Sequence, residues 1–215
     1  MRKLLFSNGS PFARKVRIVL MEKGLDFEPD VFDAVRPIED IRPHNPALQV
    51  PVLYDGDRHL FGSNLIVEYL FETYPDSVAS NGQPPFAPSL TRPERHWDDK
   101  LILTTVEAMA DSLVAVRLLV GADEERVPFM ARHKTRIASC LDWLEQRITD
   151  EGFWPGTFSM MDASLLCPLI YGEKRDTFAY RSGQWPKIVA MIDRWQGRPS
   201  VAGTPINDWP TGRAR

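Results

Sequence analysis

Residues 7–24 read SNGSPFARKVRIVLMEKG, and this stretch decides how the fold begins. It follows a short apolar segment, Lys3–Phe6, which predicts a strand. The Asn-Gly pair ends that strand, because glycine adopts backbone angles that other residues avoid. Ser10 is then a typical helix N-cap, and Pro11 takes the first helical position, where a missing N–H has no cost.

The helix predicted after Ser10 has one apolar stripe and a typical glycine stop at Gly24. A hydroxyl at the positive end of such a helix can stabilise an anion, and a thiolate is a suitable one. Ser7, at the end of the predicted strand, is the alternative hydroxyl. The alternative role for Ser10 itself is plain helix capping. The residues of the stripe are Phe12, Val16, Val19 and Leu20.

Composition and charge exclude several classes of function. The chain has 215 residues and a net charge of -3, which gives no electrostatic basis for binding nucleic acid or an anionic membrane. No apolar run approaches the roughly 18 residues that span a bilayer. The apolar run at the start ends at Ser7, which is too short for a signal peptide. We therefore expect a cytoplasmic protein.

The two cysteines, Cys140 and Cys167, predict no metal site and no redox site. They are far apart in sequence and lie in apolar helical patterns, without Cys-x-x-Cys or zinc spacing. We expect both to be small buried apolar residues and expect no metal cofactor.

Further strand and helix signals complete a first domain over residues 1–76. A second strand is predicted around Phe27–Phe32, parallel to the first, with Pro29 marking a sheet edge. After an irregular segment, Val52–Tyr54 and Arg58–Phe61 predict a hairpin, and Ser63 opens another helix. The order βαβ-ββα with a mixed sheet predicts a thioredoxin-like domain, so the fold class is α/β followed by all-α.

The rest of the chain predicts a linker and a helical domain. Residues 77–93 are rich in proline and lack an apolar period, and residues 94–215 read as helices with a loose tail from Ala202. Ser159 and Asp162 are spaced as a capping box.

Five short motifs resemble those of the glutathione S-transferase family, in the order and with the gaps that are usual there. They span nearly the whole chain, and the serine in the first motif is similar to that of serine-type, bacterial-like cytosolic transferases. The resemblance implies a glutathione-binding domain followed by a helical one, with a folding role for Asp162. The motifs are Ser10-Pro11-Phe12, Val50-Pro51, Ser63-Asn64, Ser159-x-x-Asp162 and Arg198-Pro199-Ser200.

The same resemblance implies how glutathione, the co-substrate, is held. The Ser10 hydroxyl bonds the sulfur, and the backbone of Val50, before a cis Pro51, pairs with the cysteinyl part. Ser63 takes the γ-glutamyl carboxylate at a helix N-terminus. Gln49 and Asn64 are secondary contacts, with solvated polar residues and simple capping as the alternatives.

Gly62 departs from the family pattern, which has an acidic residue or glutamine before this serine. Without that side chain, glutathione binds weakly or another residue replaces the contact. Asp98, Asp99 and Asp111 are the candidates, from a partner subunit of the family's usual homodimer. The alternative for each is a solvated charge on a helix face.

The sequence leaves two functions open. A small hydrophobic molecule between the domains is implied, with Phe12, Trp97, Leu101, Met109 and Leu113 as candidate pocket residues or, alternatively, core. The first function is glutathione transfer. The second is a non-catalytic, transferase-like binding or scaffold protein, which the loss of the side chain at Gly62 favours.

Overall fold

The computed structural model describes residues 1–32, 36–75, 84–119 and 128–207. The chain forms two compact units, Met1–Gln83 with Arg198–Arg215, and Pro84–Gly197. We call them the first and the second unit. Residues 77–83 of the expected linker lie outside the described residues.

The first unit contains a mixed sheet of four strands in the order β2-β1-β3-β4. β1 pairs parallel with β2 and antiparallel with β3, and β3 pairs antiparallel with β4. The parallel pair, the hairpin and the edge position of Pro29 confirm the prediction of a thioredoxin-like domain. The strands are β1 (Arg2–Phe6), β2 (Glu28–Val31), β3 (Val52–Asp55) and β4 (Arg58–Phe61).

Two helices of the first unit, α1 (Pro11–Glu22) and α2 (Ser63–Thr73), pack against each other. The expected apolar stripe of α1 is buried at Val16, Val19 and Leu20, whereas Phe12 is only partly buried. α1 therefore has a fixed place in the core, with its N-terminus at the end of β1. Between β2 and β3 the described residues form one short 3-10 turn, Ile38–Ile41.

The C-terminal segment belongs to the first unit, which differs from the expected assignment of residues 94–215 to one helical domain. The short helix α7 (Pro199–Ala202) packs on α1, and the described residues up to Ile206 are not the loose tail that the sequence suggested. Arg198 binds Glu22 through two bonds of 2.6 and 2.7 Å, and Ser200 also donates to Glu22.

A second contact joins the same two segments farther along α1. The buried Arg14 donates to the carbonyl of Val201 at 3.0 Å and to Thr204 at 3.5 Å. The C-terminal segment thus holds α1 at both its last turn and its first turns. We call this set of contacts the C-terminal clasp.

The second unit is helical, as the sequence predicts. Its central helix α5 packs against α3 and α6, and α3 also packs along α4. The helical region begins with one 3-10 turn, Pro93–Arg95, followed by α3. The helices are α3 (His96–Leu118), α4 (Pro128–Glu145), α5 (Met160–Lys174) and α6 (Pro186–Trp195).

The predicted capping box opens α5 and is completely buried at Asp162. The carboxylate of Asp162 accepts from the backbone N–H of Phe153 and of Ser159, each at 2.9 Å, and from the Ser159 hydroxyl at 2.6 Å. Burial raises the pKa of Asp162 to about 6, although these hydrogen bonds act in the opposite direction. Its role is in folding, as expected.

This raised pKa predicts how stability depends on pH. Between pH 3.8 and about 6, the folded state holds the Asp162 proton more tightly than the unfolded state. The contribution of Asp162 to the free energy of unfolding therefore falls as pH rises through this window, by about 3 kcal/mol at most. We expect urea unfolding of the wild type and of Asp162→Asn to show this decline only in the wild type. A stability difference between the two proteins that is constant from pH 4 to pH 7 would contradict the assignment.

Candidate functional site

The three predicted site motifs meet at one end of the sheet. Leu5 of β1 pairs with Val52 of β3, which pairs with Phe61 of β4. β3 is antiparallel to both β1 and β4. The end of β1, the start of β3 and the end of β4 therefore lie at the same end of the sheet. Ser10, Val50-Pro51 and Ser63-Asn64 follow or precede these strand ends within a few residues.

Ser10 is the N-cap of α1, in an extended conformation with φ -89° and ψ 121°. Its Oγ accepts a hydrogen bond from the backbone N–H of Ala13 at 3.2 Å. No group in the described part of the chain accepts the proton of this hydroxyl. Ser10 is partly exposed, so the proton can be offered to a ligand at the positive end of α1.

The alternative hydroxyl, Ser7, lies one turn before Ser10. Its Oγ accepts from the backbone N–H of Gly9 at 3.2 Å, and its carbonyl accepts from the N–H of Ser10 at 3.1 Å. Ser7 therefore shapes the loop that presents Ser10. The side chain of Arg17 ties the same loop to α1 through Asn8 at 2.8 Å.

The loop before β3 presents the backbone of Val50. The Val50–Pro51 peptide bond is cis. The buried Asn45 clamps this loop, since it donates to the carbonyl of Gln49 at 2.8 Å and accepts from the N–H of Ala47 at 2.9 Å. Within the described residues the N–H and carbonyl of Val50 have no hydrogen-bond partner, so both can bind an extended peptide.

The start of α2 contains Gly62, Ser63 and Asn64. Gly62 has φ +87°, which side chains rarely tolerate, and a Cβ built there would meet nothing within 4 Å. Ser63 is 6% exposed, yet its hydroxyl has no hydrogen-bond partner among the residues that the structure describes. Asn64 accepts from the ammonium of Lys15 at 2.6 Å.

The four expected pocket residues on α3 differ in exposure. Trp97 and Leu101 are 81% and 53% exposed on α3, one helical turn apart. Met109 and Leu113 lie farther along α3 and are completely buried, with Leu113 against Gly172 of α5. Met109 and Leu113 therefore act as core residues of the second unit. Phe12 belongs to α1 in the first unit.

The three candidate replacement carboxylates differ in their surroundings. Asp99 is completely buried and bound by Arg92 through the backbone N–H at 2.8 Å and the guanidinium at 2.5 and 3.0 Å. It is committed to the fold of the second unit. Asp98 is exposed and lies 3.5 Å from Arg95, and Asp111 is exposed as well.

Sequence reasoning missed two residues that shape the site, Lys15 and Asn45. Lys15 is 3% exposed although it is charged. A signal existed, because Lys15 stands between Phe12 and Val19 at helical spacing and so shares the apolar side of α1. Asn45 belongs to the Asn-Pro pair that precedes Val50-Pro51 in the sequence, but its clamping role could not be predicted, because its partners depend on how the loop folds.

The three motifs together can hold a thiol-containing peptide. They supply the hydroxyl proton of Ser10 at the N-terminus of α1, the backbone N–H and carbonyl of Val50 before β3, and N–H donors at the start of α2. In the described residues no group of three or more His, Cys, Asp or Glu side chains could hold a metal ion. None of the described helices is long and apolar enough to cross a membrane.

A thioredoxin-like unit followed in sequence by a helical unit is the fold of the glutathione S-transferase class. Residues 4–83 match the family model for the N-terminal domain of glutathione S-transferases. A crystal structure of a glutathione S-transferase from Methylobacterium radiotolerans, in complex with glutathione sulfonate, is 25% identical with a TM-score of 0.79, and the match covers 100% of this chain and 99% of that one.

Curated relatives agree with this assignment. A stringent starvation protein A homolog of Pasteurella multocida is 30% identical over 168 residues, which cover 78% of this chain and 73% of that protein. Glutathione S-transferase U28 of Arabidopsis thaliana is 28% identical over 200 residues, with 91% and 84% covered. The chain belongs to the glutathione S-transferase family.

Proposed function

We propose that the protein is a glutathione transferase in which Ser10 stabilises the thiolate of glutathione for attack on a small hydrophobic electrophile. The observation that carries this proposal is the free proton of the Ser10 hydroxyl at the N-terminus of α1. In the proposed complex, the backbone of Val50, before Pro51, pairs with the cysteinyl part of glutathione, and Gln49 is a secondary contact. Ser63 and Asn64 bind the γ-glutamyl end. The glutathione sulfonate in the relative's structure supports the choice of ligand.

The energies suffice for this role. A free thiol has a pKa near 8.5, so lowering it by about 2 units requires about 2.7 kcal/mol in favour of the thiolate. A hydrogen bond to a charged group contributes roughly 1.5–3 kcal/mol, and a helix N-terminus about 0.3–1 kcal/mol. Ser10 donates its proton as a hydrogen bond and forms no bond to the electrophile.

The proposal extends to the electrophile and to assembly. The pocket candidates that retain accessible surface are Phe12 in the first unit and Trp97 and Leu101 in the second, whereas Met109 and Leu113 are buried in the core of the second unit. A homodimer in the cytoplasm is part of the proposal, as the family resemblance implies. The exposed apolar side chains of Phe61 and Leu65 in the first unit support an interface with a second copy.

A second candidate function is a transferase-like binding or scaffold protein without catalysis. Two observations favour it. Gly62 offers no side chain to the ligand, and one relative with 30% identity is named a stringent starvation protein A homolog and not a transferase.

Calorimetric titration with glutathione, followed by turnover measurements, separates the two functions. For a transferase we expect saturable binding and thiol consumption with at least one member of a panel containing an activated aryl chloride, an unsaturated carbonyl compound and an organic hydroperoxide. Binding without turnover of any member would support the scaffold. No heat at millimolar glutathione would overturn the transferase.

A further inference from the structure

Asn45 lies in the loop before β3 and uses both ends of its side-chain amide. The backbone N–H of Ala47, which can only donate, lies 2.9 Å from Oδ1, and the carbonyl of Gln49, which can only accept, lies 2.8 Å from the NH₂ group. Asn45 itself is buried, with 3% of its surface exposed. The two partners therefore fix the amide in one orientation, and only its NH₂ end can hold Gln49.

The backbone of Asn45 holds the same loop. Its N–H donates to the carbonyl of Ile41 at 2.8 Å, and its carbonyl accepts from the N–H of Leu48 at 2.9 Å. Leu48 has φ +57°, in the left-handed region that is unfavourable for leucine. A conformation of this kind persists only where surrounding contacts hold it. Asn45 supplies four hydrogen bonds to this end.

The residue before Asn45 is tied to the sheet. The ring Nε2 of His59 on β4 lies 2.7 Å from the carbonyl of His44, and because a carbonyl only accepts, the ring donates this bond. The ring Nδ1 of His44 lies 2.6 Å from the hydroxyl of Tyr54 on β3. Asn45 therefore follows a fixed point on the sheet, and its side chain fixes Gln49 relative to that point.

The bond from Asn45 to Gln49 sets the direction of the Val50 N–H. The carbonyl of Gln49 and the N–H of Val50 belong to one peptide group, and among the described residues only the Val50–Pro51 bond is cis. In a trans peptide group the C=O and N–H are coplanar and point in opposite directions. Since the carbonyl of Gln49 points to the buried amide of Asn45, the N–H of Val50 points away from it.

We infer that Asn45 is a positioning residue for the binding of a thiol peptide, because its NH₂ group turns the Gln49–Val50 peptide so that the Val50 N–H can donate to a carbonyl of the ligand's cysteinyl part. Asn45 then acts on affinity for glutathione and not on the acidity of the thiol, which depends on Ser10 at the start of α1. This inference rests on the proposed function, since it assumes that glutathione pairs with Val50.

The test is Asn45→Asp in the full-length protein. The aspartate keeps an oxygen for the N–H of Ala47 but offers no N–H to the carbonyl of Gln49, so the peptide group is no longer held. We expect Kd for glutathione, measured by calorimetry, to rise by about three- to tenfold, as for the loss of one hydrogen bond. The pKa of the bound thiol, followed by ultraviolet absorbance, should stay within about 0.3 units of the wild-type value.

Hydrogen exchange of the Val50 amide, followed by NMR, reports its orientation directly. In the wild type we expect saturating glutathione to slow this exchange by at least about tenfold, because the amide gains a hydrogen bond. In Asn45→Asp, also at saturating glutathione, the slowing should be about threefold or less.

Tyr74→Phe is the matched control. It also removes one hydrogen bond of the first unit, from Tyr74 to Asp55 at 2.6 Å, but at the far end of β3. We expect its Kd for glutathione to stay within about twofold of the wild-type value. An equal rise of Kd in Tyr74→Phe and Asn45→Asp would show that Asn45 acts only through stability, and it would overturn the inference.

The outcomes separate the inference from the proposed function. If the wild type binds glutathione and Asn45→Asp binds it within about twofold as tightly, the inference is overturned while the proposed function stands. The same holds if glutathione leaves the exchange of the wild-type Val50 amide unchanged, and this measurement decides alone if Asn45→Asp does not fold. If the wild type binds no glutathione, the proposed function fails and the inference fails with it.

Discussion

Replacing Ser10 by alanine is expected to lower kcat/KM for glutathione conjugation by about 10- to 150-fold. The variant loses one hydrogen bond to the thiolate, worth roughly 1.5–3 kcal/mol, and about 1.4 kcal/mol corresponds to each factor of ten in rate. The pKa of the bound thiol should rise by about 1–2 units. Ultraviolet absorbance of the bound thiolate as a function of pH measures this shift directly, apart from any effect on the electrophile.

Ser10 also caps α1, so capping has to be separated from thiolate stabilisation. Loss of an N-cap costs about 0.5–2 kcal/mol of stability. Ser10→Asp keeps a capping oxygen but offers no proton at neutral pH, and Ser10→Thr keeps both. We expect the aspartate variant to be folded and inactive and the threonine variant to retain most activity.

Ser7→Ala is the matched comparison within the same loop. It removes the alternative hydroxyl and should reduce conjugation less than Ser10→Ala does. If Ser7→Ala proves the more damaging substitution, the thiolate contact belongs to Ser7.

Replacing Glu22 by glutamine is expected to destabilise the protein by about 3–5 kcal/mol. Glu22 and Arg198 are 1% and 3% exposed at their side chains, and removal of one partner leaves the other charge buried without compensation. Urea unfolding of the wild type and the variant measures the difference. The C-terminal clasp then contributes a large share of the stability of the first unit, although its partners are 176 residues apart.

Two control variants test whether the destabilisation by Glu22→Gln comes from the buried charge. Glu39 and Arg42 form an ion pair in the same unit with side chains that are 61% and 63% exposed, so Glu39→Gln should cost no more than about 1 kcal/mol. The double variant Glu22→Met with Arg198→Met removes both charges and should be more stable than Glu22→Gln. A cost for Glu22→Gln as small as that for Glu39→Gln would show that the clasp contributes little.

Much of the fold could be predicted because its signals are local. The Asn-Gly turn, the Ser10 cap and the apolar period of α1 act within one or two turns of chain, and so does the capping box of Ser159 and Asp162. Alternating strands with a parallel βαβ crossover then leave few topologies. The three motifs of the candidate site, at Ser10, Val50-Pro51 and Ser63-Asn64, were predicted from the family resemblance. The register of the strands brings them to one end of the sheet.

Other predictions depended on which side of a helix meets a neighbour, and here the sequence was insufficient. Trp97, Leu101, Met109 and Leu113 are all apolar on α3, but two are exposed and two are completely buried. Hydrophobicity alone does not distinguish a core residue from one on an open surface, because apolar residues occur in both places.

The sequence by itself determined the order of strands and helices in the first unit up to α2 and the caps at Ser10 and Ser159, since these depend on neighbouring residues. The tertiary structure alone decided that Lys15 orients Asn64 and that the C-terminal clasp closes on α1. Both contacts are made by charged side chains that pay for burial only through a partner far away in the chain. No local sequence pattern specifies these partners, because each pair forms only when α1 packs against a distant segment of the chain.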